Sequence, residues 1–147
     1  MMKHIVVSIL IVGMLVLPSL GLAQNKGFTV AGDVSFSKTG DILLSLVTQS
    51  QFENDEDTLF GLLLTIGEEE LKVHKVAFAF EGVPAGTYAI QCFQDVNGNG
   101  ELDSGNFGPK EPWGVYRPKR PTFRGPTFDE IKFDVTADIV DITFDVK

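Results

Sequence analysis

The sequence predicts an all-β domain, an antiparallel β-sandwich of about seven strands, and three observations lead to that prediction. Apolar residues recur at every second position through much of residues 28–146, which is the period of a half-buried strand. Glycine and proline separate these runs, as turns require. Residues 24–147 are enough for one domain that buries roughly two thirds of its unfolded surface.

The first predicted element is a hairpin. Residues 28–36 and 42–46 alternate between apolar and polar side chains, and the Lys-Thr-Gly turn at 38–40 joins them. Residues 59–66 follow as a continuous apolar run, which fits either a buried strand or a short helix. Periodicity leaves both readings of this run open.

The second half of the chain supplies the remaining predicted strands. Residues 74–80 and 88–92 alternate on either side of the Val-Pro-Ala-Gly turn at 83–86. Residues 131–135 and 140–146 alternate again and close the predicted sandwich.

Residues 1–23 have the organisation of a secretory signal peptide. Lys3 contributes to a basic start, residues 5–17 form an apolar stretch too short to span a bilayer comfortably, and residues 21–23 place small side chains before a cleavage point at Gln24. The alternative is an uncleaved membrane anchor, although no basic stop-transfer flank follows. Cys92 is the only cysteine, so no cysteine for lipid attachment follows the cleavage point. We expect a periplasmic or secreted mature protein, residues 24–147, without a transmembrane segment.

Charge narrows the class of partner. Residues 24–147 carry 11 Lys and Arg against 20 Asp and Glu, a net charge of −9. This balance argues against nucleic acid or an anionic membrane as the main partner, because both repel an acidic surface. With one cysteine the chain cannot form an internal disulfide, and the position of Cys92 in a strand predicts a small buried apolar side chain.

The segment 95–103 reads as the first half of a calcium loop. Oxygen-bearing residues alternate around Gly100, the glycine that permits the sharp turn at position 6 of an EF-hand-type loop. The predicted calcium ligands are Asp95, Asn97, Asn99, Glu101 and Asp103. Glu101 would contribute its carbonyl oxygen. Position 12 holds Asn106 instead of the usual bidentate glutamate, so direct coordination by Asp103 or by Glu111 folding back would complete the site.

Residues 105–126 depart from the strand pattern. They hold five of the seven prolines and the only tryptophan, and five basic residues face a single acidic one. Proline removes ladder donors, so we predict one long proline-rich loop. As a binding surface it would use Trp113, Tyr116, Arg117 and Arg120 to hold an envelope or extracellular ligand, a glycan or a protein. In the alternative, the aromatics cap one end of the sandwich and the arginines neutralise the acidic loop.

Several motifs together resemble a known family. They are G-T-Y at 86–88, D-x-N-G-N-G-x-L-D at 95–103, P-x-E-x-x-G at 109–114 and P-x-F at 126–128. They resemble the exported bacterial family catalogued as domain of unknown function 2141, over most of residues 24–147. The resemblance implies an exported sandwich of Ig-like or transthyretin-like type and no established activity.

The sequence favours a non-catalytic protein. Transthyretin-like hydrolases of the hydroxyisourate type resemble this fold but depend on several histidines and a C-terminal Tyr-Arg-Gly-Ser. This chain ends Phe-Asp-Val-Lys and has only His74 after residue 23. The acidic runs at 53–57 and 68–70 are typical of solvated loops and not of a pair of catalytic carboxylates. We therefore predict an exported, non-enzymatic binding or interaction module with a structural calcium loop. The alternative is a hydrolase of transthyretin-like fold with a site near that loop.

Overall fold

The computed structural model describes residues 26–117, 121 and 124–147. The predicted signal peptide, residues 1–23, and Arg120 lie outside these residues. The strands are β1 (Phe28–Ser35), β2 (Asp41–Val47), β3 (Phe60–Leu64), β4 (Lys75–Val83), β5 (Gly86–Asp95), β6 (Ser104–Gly105), β7 (Gly108–Pro109), β8 (Trp113–Val115), β9 (Phe133–Val135) and β10 (Ile139–Asp145). The helices are α1 (Gln49–Asn54), α2 (Glu68–Val73) and α3 (Phe128–Ile131).

Two sheets form the sandwich, so the predicted all-β class is confirmed. The smaller sheet has the order β10-β1-β4, and the larger sheet has the order β3-β2-β5-β8, with β9 also paired to β5. Most neighbours are antiparallel, as predicted, but β1 and β10 run parallel. Strands β6 and β7 form a separate two-stranded ribbon.

The main core lies between the two sheets. Alternation along each strand points one set of apolar side chains inward, which is why the period of two predicted the buried positions. Val30 and Val34 of β1 and Ile42, Leu44 and Leu46 of β2 are all within 1% of complete burial. These two strands therefore contribute facing sides of one core.

A second, smaller apolar cluster covers part of the outer face of the larger sheet. Val47 of β2 and Ala89 of β5 are cross-strand partners whose side chains point away from the main core. Phe128 and Ile131 of α3 pack onto them, and Phe52 of α1 packs against Phe128 with ring centroids 5.9 Å apart. The two helices thus cover one end of this outer face.

Three segments differ from the sequence-based expectation or resolve it. Residues 59–66 contain the edge strand β3, whose side chains alternate between half-buried and exposed. The glutamates at 68–70 belong to helix α2 rather than to a loop. The proline-rich segment 105–126, predicted as one long loop, contains the second residue of β6 and all of β7 and β8, and β8 pairs with β5 between prolines 112 and 118.

Close backbone contacts explain why two positions, 32 and 114, hold glycine. A Cβ on Gly32 would lie 1.9 Å from the carbonyl oxygen of Ile142, at the point where the register of β1 against β10 shifts. A Cβ on Gly114 would lie 2.4 Å from the carbonyl oxygen of Asp145. Side chains at these positions would push β10 away from β1 and from β8.

Candidate calcium loop and ligand-binding surface

Asp95 organises the loop that follows β5. Its side chain is 8% exposed, and its carboxylate accepts hydrogen bonds from three backbone amides. Oδ1 accepts from Gly98 at 2.7 Å and from Asn99 at 3.1 Å, and Oδ2 accepts from Gly100 at 2.7 Å. Gly98 and Gly100 have φ values of 76° and 79°, a region that glycine enters without steric cost. The backbone of residues 98–100 therefore wraps around the carboxylate of Asp95.

The amide side chains of Asn97 and Asn99 extend the same arrangement. The Oδ1 of Asn97 accepts from the backbone N–H of Asn99 at 3.1 Å, and the Oδ1 of Asn99 accepts from that of Glu101 at 2.9 Å. Their amide nitrogens both donate to the carboxylate of Asp103, from Asn97 at 2.5 Å and from Asn99 at 3.2 Å. Three of the predicted ligand side chains therefore meet at one point of the loop.

Glu101 is placed differently from the other predicted ligands. Its side chain is exposed, while its backbone lies inside the loop through the hydrogen bond to Asn99. This placement is compatible with the predicted role of its carbonyl oxygen. Asn106, at the position of the usual bidentate glutamate, lies exposed in the turn between β6 and β7.

Glu111 folds back onto the loop from the far side of the β6–β7 ribbon. It is 7% exposed, and its Oε1 accepts from the backbone N–H of Val96 at 2.8 Å while its Oε2 accepts from that of Asp103 at 3.1 Å. The backbone N–H of Lys110 also donates to the carbonyl of Asp103 at 2.7 Å. Glu111 thus joins the first and last turns of the loop with one buried carboxylate.

The base of the loop is fixed to the first hairpin. The Nε2 of Gln94, which is fully buried, donates to the carbonyls of Lys38 at 2.7 Å and of Gly40 at 3.0 Å. A Cβ on Gly40, which has a φ of 124°, would lie 2.2 Å from the carbonyl oxygen of Asp95. The turn at 38–40 therefore supports the exact point where the loop leaves β5.

The donor set suits a hard cation. Calcium prefers six to eight oxygen ligands from carboxylates, amides, carbonyls and water, at about 2.3–2.6 Å. Asp95 and Asp103 offer carboxylates, and Asn97 and Asn99 offer amide oxygens, so the chemistry of the loop fits calcium better than zinc. In the described part of the chain, no three His, Cys, Asp or Glu side chains form a metal-binding group. A calcium site here would therefore depend on the two asparagines.

The predicted ligand-binding residues fall on two sides of the β-sandwich. Trp113 pairs with Phe93 of β5 and lies on the outer face of the larger sheet. Tyr116 packs the other way, edge-on against Phe133 at 5.3 Å and near Phe144 at 6.3 Å, as part of the boundary of the main core. Alternation along the strand separates these two aromatics.

Tyr116 and Arg117 line a cavity beside the end of β10. The guanidinium carbon of Arg117 lies 5.7 Å from the centre of the Tyr116 ring, and Arg117 has a left-handed φ of 61°. The cavity has a volume of about 390 Å³ and includes Asp145 and Lys147, which form an ion pair at 2.8 Å. Arg120, the fourth predicted residue, lies outside the described residues.

Trp113 lines a second cavity of about 300 Å³ on the outer face of the larger sheet. Leu43, Phe93 and Leu102 contribute apolar walls, and Asp55, at the end of α1, contributes a carboxylate. Sequence reasoning missed this cavity, because its walls come from β2, α1, β5, the calcium loop and β8. No local pattern joins these segments.

The end of the proline-rich segment is held by an ion pair that the sequence did not reveal. Arg124 donates to both carboxylate oxygens of Glu130, at 2.8 and 2.6 Å. The hydrogen bonds from Arg124 and from the backbone N–H of Thr127 lower the pKa of Glu130 from its ordinary value to about 2. Arg124 therefore pairs with the first turn of α3 rather than with the loop at 95–103.

His74 and Cys92 show no arrangement typical of a nucleophilic site. His74 ends α2 with a φ of 52°, and its ring contacts that of Phe36 edge-on at 6.1 Å. The thiol of Cys92 donates to the carbonyl of Gly114 at 3.6 Å, and burial raises its pKa to about 12. Cys92 therefore stays protonated at neutral pH, which fits the predicted role of a small buried side chain.

Comparison with known proteins places the chain in a family. The family model described as an uncharacterised protein conserved in bacteria, domain of unknown function 2141, matches residues 34–143. No curated protein and no solved structure matches the chain. Among the described residues, no helix is both long enough and apolar enough to cross a bilayer. The matched range contains strands β2 to β9, most of β10 and the loop at 95–103, and the chain therefore belongs to this bacterial family of uncharacterised proteins.

Proposed function

We propose that this protein is an exported, non-catalytic β-sandwich that binds a structural calcium ion and serves as a binding module outside the cytoplasm. The observation that carries the calcium part is the convergence of Asn97 and Asn99 on the carboxylate of Asp103, in a loop already wound around Asp95. The side chains that a cation needs are brought together by the backbone hydrogen bonds of the loop itself.

A calcium ion in this loop would offset the negative charge of the carboxylates around it. Asp95, Asp103 and Glu111 place three carboxylates on one loop of a chain that is already acidic. The carboxylate oxygens of Asp95 and Asp103 and the amide oxygens of the two asparagines would coordinate the ion. The Glu101 carbonyl and water would complete its coordination shell. Rotation of the two amides would turn their oxygens, instead of their nitrogens, toward the centre. Because calcium would bind the folded chain and not the unfolded chain, it would stabilise the fold by mass action.

The test is a pair of thermal melts, one with chelator and one with millimolar calcium. At a calcium concentration a hundred times the dissociation constant, the gain is about 2.7 kcal/mol, which corresponds to roughly 10 °C for a domain of this size. Asp103→Asn should abolish the gain. Glu101→Gln removes the same charge from the same loop and should keep it, because position 7 contributes only a carbonyl.

Two outcomes would contradict the calcium proposal. Superimposable melts of the unaltered chain with and without calcium would show that the loop does not bind the ion. Equal losses from Asp103→Asn and Glu101→Gln would show that calcium acts through general charge screening instead of through this ligand set. Isothermal titration of the same three proteins gives the stoichiometry directly.

The placement of His74 and Cys92 supports the non-catalytic part of the proposal. Neither of the two cavities described above is lined by His74, and the Cys92 thiol is held protonated by burial. These placements favour binding over the alternative of a hydrolase with its site near the calcium loop.

The binding part of the proposal concerns the segment 105–126. This segment contributes to both cavities, through Trp113 to one and through Tyr116 and Arg117 to the other. Replacing Trp113 and Arg117 together with alanine should weaken retention of the chain on the cell envelope. Lys75→Ala, an exposed change on β4 in the smaller sheet, is the control. Unchanged retention of the double variant would remove this segment as the binding surface.

A further inference from the structure

The outer face of the larger sheet carries two adjacent rows of side chains that α1 and α3 leave open. The cross-strand register aligns Leu43, Phe93 and Trp113 into an apolar row over β2, β5 and β8. The next row toward the helices contains Ser45 and Gln91. Neighbouring strands lie about 4.8 Å apart and the two rows about 7 Å apart. The cavity of about 300 Å³ lies over both rows.

The polar groups of this cavity are free to bind a ligand. Within the described residues, the hydroxyl of Ser45, the side-chain amide of Gln91 and the carboxylate of Asp55 make no hydrogen bond. Ser45 and Gln91 are half-buried, so their polar atoms face the cavity with limited access to bulk water. Polar groups in such positions gain more from a ligand partner than fully hydrated ones do.

We propose that this cavity binds the sugar ring of a neutral glycan, stacked on Trp113 and hydrogen-bonded by Gln91, Ser45 and Asp55. The proposal rests on the binding role proposed above and names the ligand class for it. A sugar ring has an apolar C–H face and a rim of hydroxyl groups. The apolar row provides a surface for the face, and the polar row beside it provides donors and acceptors for the rim.

Charge and backbone pairing select a neutral glycan over other ligands. Asp55 is the one ionised side chain among the described residues that line the cavity, so among these residues a phosphate, sulfate or uronate group would meet a carboxylate and no cation. A peptide that binds a sheet adds to an open edge through backbone hydrogen bonds. Here β5 pairs with β2 on one side and with β8 on the other, and Trp113 on the outer edge of β8 exchanges backbone hydrogen bonds with Lys147. The face itself offers side chains only.

The calcium loop forms one wall of the same cavity. Leu102 is 37% exposed and lies between Glu101 and Asp103, so its position depends on the loop that the proposed ion would order. Asp55, on the opposite side, is fixed at the end of α1 in a left-handed conformation with a φ of 54°. Removal of calcium by a chelator is therefore expected to weaken glycan binding and to lower the stability of the fold.

Trp113 provides the readout, because it is the only tryptophan in the chain. The full chain, saturated with calcium, is first screened on an array of neutral and anionic glycans. Each neutral oligosaccharide that binds is then titrated while Trp113 emission is recorded. A saturable change in emission, with a dissociation constant that agrees with calorimetry, is the expected result.

Variants separate this cavity from the rest of the surface. Asp55→Asn keeps a residue that tolerates the left-handed backbone and should weaken binding about tenfold, as should Gln91→Ala. Lys75→Ala, an exposed change on β4 in the smaller sheet, should leave the glycan affinity unchanged. Melting temperatures within 2–3 °C of the unaltered chain, roughly 0.5–1 kcal/mol, establish that the variants are folded.

Three results would overturn the proposal. One is the absence of any neutral glycan that changes Trp113 emission. Another is preferential binding of anionic glycans or of peptides at this face, which would leave the binding role in place and remove the sugar assignment. The third is a glycan affinity that neither Asp55→Asn nor Gln91→Ala lowers. The calcium melts are independent of all three, so failure of the calcium proposal is recognised separately.

Discussion

Truncation of Glu111 should destabilise the domain even in the absence of calcium. The two oxygens of its carboxylate accept from Val96 at 2.8 Å and from Asp103 at 3.1 Å, and the side chain is 7% exposed. Glu111→Ala removes both acceptors and leaves two N–H groups in a nearly closed space. A hydrogen bond to a charged group contributes about 1.5–3 kcal/mol.

The full sum of two such bonds overstates the expected loss. Water can enter the space vacated by the side chain and satisfy one of the amides, since the loop lies at the surface. We therefore expect a decrease of about 2–4 kcal/mol in the free energy of unfolding. For a domain of this size that corresponds to a decrease of roughly 8–15 °C in melting temperature.

The assay is urea unfolding in the presence of chelator, so that the hydrogen bonds are measured without any contribution from bound metal. Glu101→Ala, an exposed change in the same loop, is the control and should stay within about 0.5 kcal/mol of the unaltered chain. If Glu111→Ala unfolds at the same urea concentration as Glu101→Ala, the buried carboxylate does not hold the two ends of the loop together.

Three further predictions follow from contacts elsewhere in the fold. Gly32→Ala should destabilise by about 3 kcal/mol or more in thermal melts because its Cβ would overlap a carbonyl of β10, whereas Gly61→Ala, whose Cβ meets no atom within 4 Å, should not destabilise. The carboxyl of Glu130 should titrate near pH 2 by NMR. Because its pKa is lowered, its pairing with Arg124 is present above the ordinary carboxyl pKa and is lost as the pH falls through about 2, and Arg124→Ala should move the midpoint upward. Gln94→Leu should cost about 1–3 kcal/mol in urea unfolding, because two turn carbonyls lose their donor, and a change below 0.5 kcal/mol would contradict this.

The sequence predicted the faces of the strands better than their partners. Alternation in β2 placed Ile42, Leu44 and Leu46 in the core, and they are nearly completely buried. Periodicity carries no information about the partner of a strand, however, so the parallel pairing of β1 with β10 was not predicted. That pairing joins the two ends of the described chain, a contact of long sequence separation.

Local composition also misled the prediction for the acidic segments. Residues 68–70 are three glutamates, which read as a solvated loop. In the structure they begin α2, and the carboxylate of Glu70 accepts from the backbone N–H of Gly67 at 3.1 Å. Acidic residues in a first helical turn are favoured by the helix dipole and by such caps. The same charges that indicated exposure therefore also indicate a helix start.

The two parts of the candidate site differ in how visible they are in a sequence. The predicted calcium loop is contained in residues 95–103, so ligand spacing alone suggests it. The cavity around Trp113 needs register information from β2, β5 and β8. Trp113 and Tyr116 are separated by an odd number of positions, which places them on opposite faces once the segment is extended. The prolines favour a loop, and in a loop alternation assigns no faces.

One short segment connects the loop, the sheet and the end of the chain. Glu111 holds the calcium loop, the carbonyl of Pro112 accepts from the backbone N–H of Gln94 at 2.8 Å, and Trp113 exchanges backbone hydrogen bonds with Lys147 at 3.1 and 3.2 Å. The consecutive residues 111–113 therefore couple the position of the loop to that of β8. Because Trp113 begins β8 and lines the cavity, ordering of the loop by a cation would fix the position of the ring on which a ligand stacks. A structural ion at residues 95–103 would then serve binding without contacting the ligand.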